Sequence, residues 1–323
     1  MTITRRGFLA GTGALFSTKA LGASQRDIVQ INIPAFGADC KVTIANEIDF
    51  DAVTIAIKAV ISTVNATMSP FIPTSEICRI NKTDTTEWLA LSPATLMTLI
   101  EAKRIAALTG GAFDPTLGGL VGRYGFGPIR QKPFGSFDDL QIENGLVRKG
   151  HPLQSLDLCG IAKGYALDEM VAALNRLGHD SFFVELGGEV FGAGLHPEHR
   201  QWRAGVELSM PGDRTLKRIV RISEEALATS GDRINSYRYG HNRYSHIINP
   251  KNRLPADTSL TSVSVFSSSA MTADALATAL FAMGPVSGIA FAEQNSIAAL
   301  FQLRNEDEID EILTGTFSSR LLR

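Results

Sequence analysis

The chain has 323 residues, of which 44% are hydrophobic and 20% charged, and its formal net charge is −2. Those proportions exclude a disordered, collagen-like or coiled-coil chain, and the charge excludes a global basic field for nucleic acid. No apolar run reaches the roughly 18–20 residues expected of a membrane span, and three cysteines are too few for a disulfide framework.

Residues 1–23 are read as an address rather than as structure. Arg5 and Arg6 precede an apolar stretch from Phe8 to Phe16, and the small residues Ala20, Gly22 and Ala23 follow where a signal peptidase cuts. This order matches a twin-arginine export signal; the alternative is a chance arginine pair. Removing the segment takes away Arg5, Arg6 and Lys19 and no acid, so the net charge moves from −2 to −5. Residues 24–323 are then expected to act in the periplasm.

Ile28–Ile33 alternates as a half-buried strand does, and Lys41–Ala45 predicts a second strand after a turn at Pro34–Asp39. Val53, Ile57, Val60, Ile61 and Val64 recur at helical spacing over 51–67, behind Asp49 or Asp51 as a cap. Met68–Pro73 reads as a loop. Ser92-Pro93 opens a helix with Leu96, Leu99, Ile100, Lys103 and Ala107 on one face, stopped by Gly110-Gly111. A Gly-rich segment, 112–127, and polar turns with short strands over 128–150 come next. Ser155–Leu158 predicts a strand running into a helix that buries Ala166, Met170, Ala173, Leu174 and Leu177. Further strands are expected at Phe182–Glu185, Val190–Gly192, 202–208, 218–222 and 261–266, with a hairpin turn at Gly240. The last helix is expected over 273–283, stopped by Gly284-Pro285. Without strict βαβ alternation, the fold class is α+β, with mixed, largely antiparallel sheets and flanking helices. It forms one large domain, which the length would allow to divide into two subdomains.

Four clusters carry candidate chemistry. Asp157 to Ala166 (DLCGIAKGYA) places a glycine turn and Lys163 at a helix N-terminus, where unpaired N–H groups hold phosphates; the plain reading is a strand–turn–helix with a solvated lysine. Asp274 and Thr278, four apart among small apolar residues, share one helix face and suit a hard cation such as Mg²⁺, or else serve as a cap and a back-bonded hydroxyl. His246, before Ile247-Ile248-Asn249-Pro250, is a base, a phosphate-binding cation or a structural histidine. The segment at Ala112-Phe113-Asp114 admits a flat ligand or is a surface loop. Cys40, Cys78 and Cys159 lack metal spacing and are expected to be buried single cysteines.

Taken together, and in this order, these strings resemble the ApbE family of flavin transferases. The resemblance rests on Met68 to Phe71, Ser75 to Asn81, Gly111 to Thr116, Asp157 to Ala166, Glu185 to Glu189, Thr229 to Asp232, His246 to Pro250 and Asp274 to Thr278. It implies that Phe36, Phe71, Ala112, Phe113, Asp114, Asp157, Lys163 and Ile248 contact FAD as substrate. It implies a magnesium site at Asp274, Thr278 and the Gly160 carbonyl, and a catalytic role for His246 and Asp274. The implied reaction moves FMN from FAD to a Ser or Thr hydroxyl of a target flavoprotein, in the family a membrane-bound redox subunit, and releases AMP. FAD pyrophosphatase activity or flavin carriage are the alternatives. Phe36-Gly37-Ala38, Cys159, Asn249 and Asn252-Arg253 depart from the family strings.

Overall fold

The computed structural model describes residues 28–45, 48–130, 135–207, 216–233, 235–240, 242–305 and 308–322. The export address read in residues 1–23 lies outside the described residues.

Alternating burial makes β1 (Ile28–Ala35) and β2 (Ala38–Ala45) a hairpin whose inward side chains are Ile31, Ile33, Cys40, Val42 and Ile44. The sheet continues through β3 (Phe182–Leu186), β4 (Glu189–Ala193), β5 (Glu225–Gly231), β6 (Leu260–Ser267), β7 (Ala299–Asn305) and β8 (Glu308–Thr314). It is antiparallel throughout, and strand order across the sheet equals order along this series. The one long excursion lies between β2 and β3, where Cys40 faces Leu186 in register.

Among the described residues six helices accompany the sheet: α1 (Phe50–Met68), α2 (Glu76–Lys82), α3 (Pro93–Leu108), α4 (Gly118–Arg123), α5 (Ala162–Arg176) and α6 (Ala270–Gln294). Asp49 caps α1 by accepting from the Ala52 N–H, and Ser92 caps α3 with Pro93 in its first turn. The main core sets α1, α5 and α6 against the sheet. A hairpin, Trp202–Glu207 with Leu216–Ile222, covers part of the opposite face through Ala204, Val206, Val220 and Ile222 against Val190, Leu227 and Phe266.

Several expectations are corrected. Residues 76–82, for which no element was expected, are helical, and Ser75 caps them by accepting from the Cys78 N–H. Ser155–Leu158 is extended but is not a paired strand. Its backbone is held by a side chain instead: Asn81 donates to the Leu156 carbonyl (2.8 Å) and accepts from its N–H (2.7 Å). On α3 the buried face is Thr95, Thr98, Leu99, Ala102, Ile105 and Ala106, while Ile100 is exposed; small residues let α3 approach its neighbours closely. Leu177 is exposed at the end of α5. Strands β5, β7 and β8 were not expected; β5 reads EALATSG, which is poor in the branched and aromatic residues that mark strands.

Gly284 breaks α6 (φ 79°, ψ 177°) but a further helical stretch follows Pro285, so the helix runs on to Gln294. By length and composition α1 and α6 are both long and apolar enough to cross a membrane, contrary to the reading of the sequence. In the fold both pack into the core, with Val53, Ile57, Ile61 and Val64 of α1 and most of the first half of α6 buried. Of the cysteines only Cys40 is buried; Cys78 is half-buried and Cys159 is exposed.

Candidate active site

The α5 N-terminus and α6 hold each other. Asp168 on α5 accepts from the Ser269 hydroxyl and from the Ala270 and Met271 N–H groups, capping α6. In return Asp274 on α6 accepts from the Gly164 N–H in the first turn of α5 (3.0 Å). Burial pushes the Asp168 carboxyl up, against these donors. This reciprocal pair brings the two clusters together that the sequence places 110 residues apart. Asp274 is 4% exposed.

Before α5, Asp157 accepts from the Cys159 N–H (2.9 Å) and its own N–H donates to the Pro115 carbonyl (2.7 Å), which fixes the turn. A Cβ on Gly160 would lie 3.2 Å from Thr278 Oγ1 and from the Phe113 ring, so the turn, α6 and the Gly-rich segment meet there. Thr278 also lies 3.2 Å from the Ser230 hydroxyl on β5. Asp114 is committed locally: Oδ1 accepts from the Thr116 N–H and hydroxyl, and Oδ2 from the Phe137 N–H. Burial raises its carboxyl above the usual range.

Lys163 is not free. Its ammonium contacts Glu189, which opens β4 and is 2% exposed. Burial works against the Lys163 charge, but Asp274 and Glu189 together hold it well above the usual ammonium value. Burial pushes Glu189 upward, with the Lys163 charge opposing.

His246 Nδ1 lies 3.0 Å from the Asn235 carbonyl, which also takes the His246 backbone N–H. A carbonyl only accepts, so the Nδ1 of neutral His246 carries the proton and Nε2 is left as an acceptor. Burial lowers its pKa below the ordinary value. His246 is therefore neutral at pH 7. A rate that needs its free Nε2 is expected to fall on the acid side, as the ring protonates, with a midpoint below the ordinary histidine value. A pH profile of kcat/KM tests this; an acidic limb centred above 7 would exclude His246 as its source.

These residues line one cleft of about 1160 Å³, with Phe71, Ala112, Phe113, Asp114, Asp157, Gly160, Lys163, His246, Ile248, Asp274 and Thr278 in its wall. Phe71 is 66% exposed, and Ile248 is buried. Phe36 does not line the cleft: it sits in the β1–β2 turn with φ 54° and packs against the main core, while Ala38 and Asp39 reach the wall. Glu189 and Ser230 are cleft residues to which the sequence reading gave no role; Glu189 lay at the end of the quoted Glu185–Glu189 turn. Among the described residues no group of three or more His, Cys, Asp or Glu side chains is arranged for a metal. The oxygen set of Asp274, Thr278 and Gly160 contains a single carboxylate, as befits a hard cation completed by substrate and water.

The chain is similar to known proteins in sequence and in fold. Residues 36–301 match the ApbE family. The chain is 35% identical over 267 residues to the FAD:protein FMN transferase of Vibrio cholerae serotype O1, covering 79% of this chain and 80% of the relative. It is 29% identical over 270 residues to that of Haemophilus influenzae, covering 78% of each. Among solved structures, the flavin transferase ApbE from Vibrio cholerae superposes with a TM-score of 0.83 at 33% identity over 91% of this chain and 99% of that one. The apo flavinyl transferase ApbE of Pseudomonas stutzeri superposes with a TM-score of 0.84 at 27% identity, over 93% and 98%. The chain belongs to the ApbE family.

Proposed function

We propose that the protein is a Mg²⁺-dependent FAD:protein FMN transferase of the periplasm, exported by the twin-arginine route through residues 1–23. It moves FMN from FAD to a Ser or Thr hydroxyl of a target flavoprotein, in our reading a membrane-bound redox subunit with that hydroxyl facing outward. The observation that carries this reading is a single cleft that joins the Asp274/Thr278 pair, the α5 N-terminus and the neutral His246.

The acceptor hydroxyl oxygen attacks the FMN-side phosphorus, the P–O–P bond breaks, and AMP leaves with the bridging oxygen. His246, through the acceptor Nε2 of its neutral ring, takes the hydroxyl proton. Phe71 and Phe113 offer ring faces to the flat parts of the dinucleotide, and the turn from Asp157 to Gly160 presents the helix N-terminus to its phosphates. Asp274, Thr278 and the Gly160 carbonyl suit Mg²⁺, since all donors are oxygen and Lys163 is already matched by Glu189. Mg²⁺ bound there supplies charge neutralisation at the pyrophosphate. The remaining work is positioning.

The cleft extends beyond the residues that the motifs name. The cleft exceeds the roughly 300–1,000 Å³ of ordinary small-molecule sites. It runs on over Gln30, Thr43 and Phe183 to the strand Trp202–Glu207, all six residues of which line it.

The test incubates residues 24–323 with FAD and Mg²⁺, with and without a flavoprotein domain bearing an exposed threonine. Covalent flavin on that domain is the expected result. FMN and AMP without labelling would make the protein a pyrophosphatase; unchanged bound FAD would make it a carrier.

A further inference from the structure

Glu189 is a buried carboxylate with one satisfied oxygen. Oε1 contacts the Lys163 ammonium, while Oε2 is buried without a hydrogen-bond partner. The turn before it is tight: Gly187 has φ 58°, and a Cβ there would lie 4.0 Å from both Glu189 Oε2 and Lys163 Cδ. Lys163, Glu189 and Asp274 line the same cleft. Their formal charges leave one negative charge in excess, and His246, being neutral, does not offset it. The wall further holds Asp39, Asp114, Asp157, Glu185 and Glu207 against Lys41, Arg200, Arg203 and Arg233, so the cleft as a whole carries no excess of positive charge. A pyrophosphate brings further negative charge, and the trio of Lys163, Glu189 and Asp274 offers it no net positive charge.

We propose that Glu189 is a charge-matching residue: by holding Lys163 it denies the FAD pyrophosphate a free ammonium and ties dinucleotide entry to a divalent cation. This rests on the proposed FAD chemistry. Lys163 alone beside the α5 N-terminus would be a metal-free anion site. With Glu189 across it, the ammonium is spent within the protein. The unpartnered Oε2 fits the same role. A buried carboxylate oxygen lacking a donor is unfavourable, and a hard cation bound in this cleft, which keeps several of its waters, would bring donors that could satisfy it. Sequence motifs suggested that Lys163 meets the phosphate directly; the ion pair makes that contact conditional.

The test is FAD affinity, read from quenching of flavin fluorescence in EDTA and in Mg²⁺, with no acceptor present. Wild type is expected to bind FAD about 100-fold more tightly with Mg²⁺. Glu189→Gln, which keeps the shape and frees the ammonium, is expected to bind FAD about tenfold more tightly in EDTA and to lose most of the Mg²⁺ effect. Structural damage would weaken metal-free binding, not strengthen it. Glu189→Asp, which keeps the charge, is expected to retain the wild-type ratio. An unchanged ratio in Glu189→Gln, or the same change in both variants, would overturn the assignment. Mg²⁺-dependent FAD binding without flavin transfer would refute the proposed activity and leave the assignment standing. Wild-type binding indifferent to Mg²⁺ would do the reverse.

Discussion

Asp274→Asn is expected to reduce turnover by about a thousandfold or more while leaving the protein folded. The side chain has two duties. One oxygen accepts the Gly164 N–H and fixes the first turn of α5; an asparagine oxygen can do the same. The negative charge is needed for a divalent cation, and the amide lacks it. Asp274→Ala removes both, so it is expected to be equally inactive and also less stable, by about 1.5–3 kcal/mol for a lost bond to a charged acceptor. Single-turnover transfer from FAD, with a melting curve for each variant, separates the two duties. Wild-type turnover by Asp274→Asn in EDTA would remove the metal from the mechanism.

Gly164→Ala is expected to cost about 3 kcal/mol, the upper end of the usual range for overpacking, and to lower Tm by roughly 6 °C. A Cβ at this position would lie 2.4 Å from the Ala270 carbonyl oxygen and 2.6 Å from Met271 Cα. Both are backbone atoms in the first turn of α6, held by Asp168 and Ser269, so neither can swing aside. Relief requires α5 and α6 to separate, which also lengthens the Gly164–Asp274 bond. Activity is therefore expected to fall by more than the loss of folded protein explains. A variant with unchanged Tm would show that the helices have slack at this crossing.

Alternation and helical spacing made β1, β2, α1, α3 and α5 legible, because each buries one face and exposes the other. The same logic hid β5 and β7. β5 is built from Ala, Ser, Thr and Gly, and β7 is buried along most of its length, so neither carries a clear period. On α3 the core-facing stripe runs through Thr95, Thr98, Ala102 and Ala106 as well as Leu99 and Ile105, and small or polar side chains do not mark a buried face in the hydrophobic pattern. At the site, motif spacing named Asp157, Lys163, His246, Asp274 and Thr278, and all of them line the cleft. Spacing alone could not reveal who pairs with whom. The capture of Lys163 by Glu189, and the exchange of caps between Asp168 and Asp274, join residues far apart in the chain, and only packing brings them into contact. Phe36, in a string that departs from the family's, is the expected contact that does not line the cleft; it packs against the core instead.

The order of strands in the sheet bears on how such a protein can diverge. Phe71, Ala112 to Asp114, Asp157, Gly160 and Lys163 all fall in the excursion between β2 and β3, whereas His246, Asp274 and Thr278 follow β5 or β6. The wall bearing Phe71, Phe113, Asp157 and Lys163 and the wall bearing Asp274 and Thr278 are thus encoded in separate stretches of chain. Residues can be gained or lost in the first stretch without shifting the register of any strand from β4 to β8. Grafting one relative's excursion onto another's sheet then has to preserve the seams where the two stretches meet, among them the α5–α6 crossing at Gly164 and the hydrogen bond from Thr272 of α6 to Glu101 of α3.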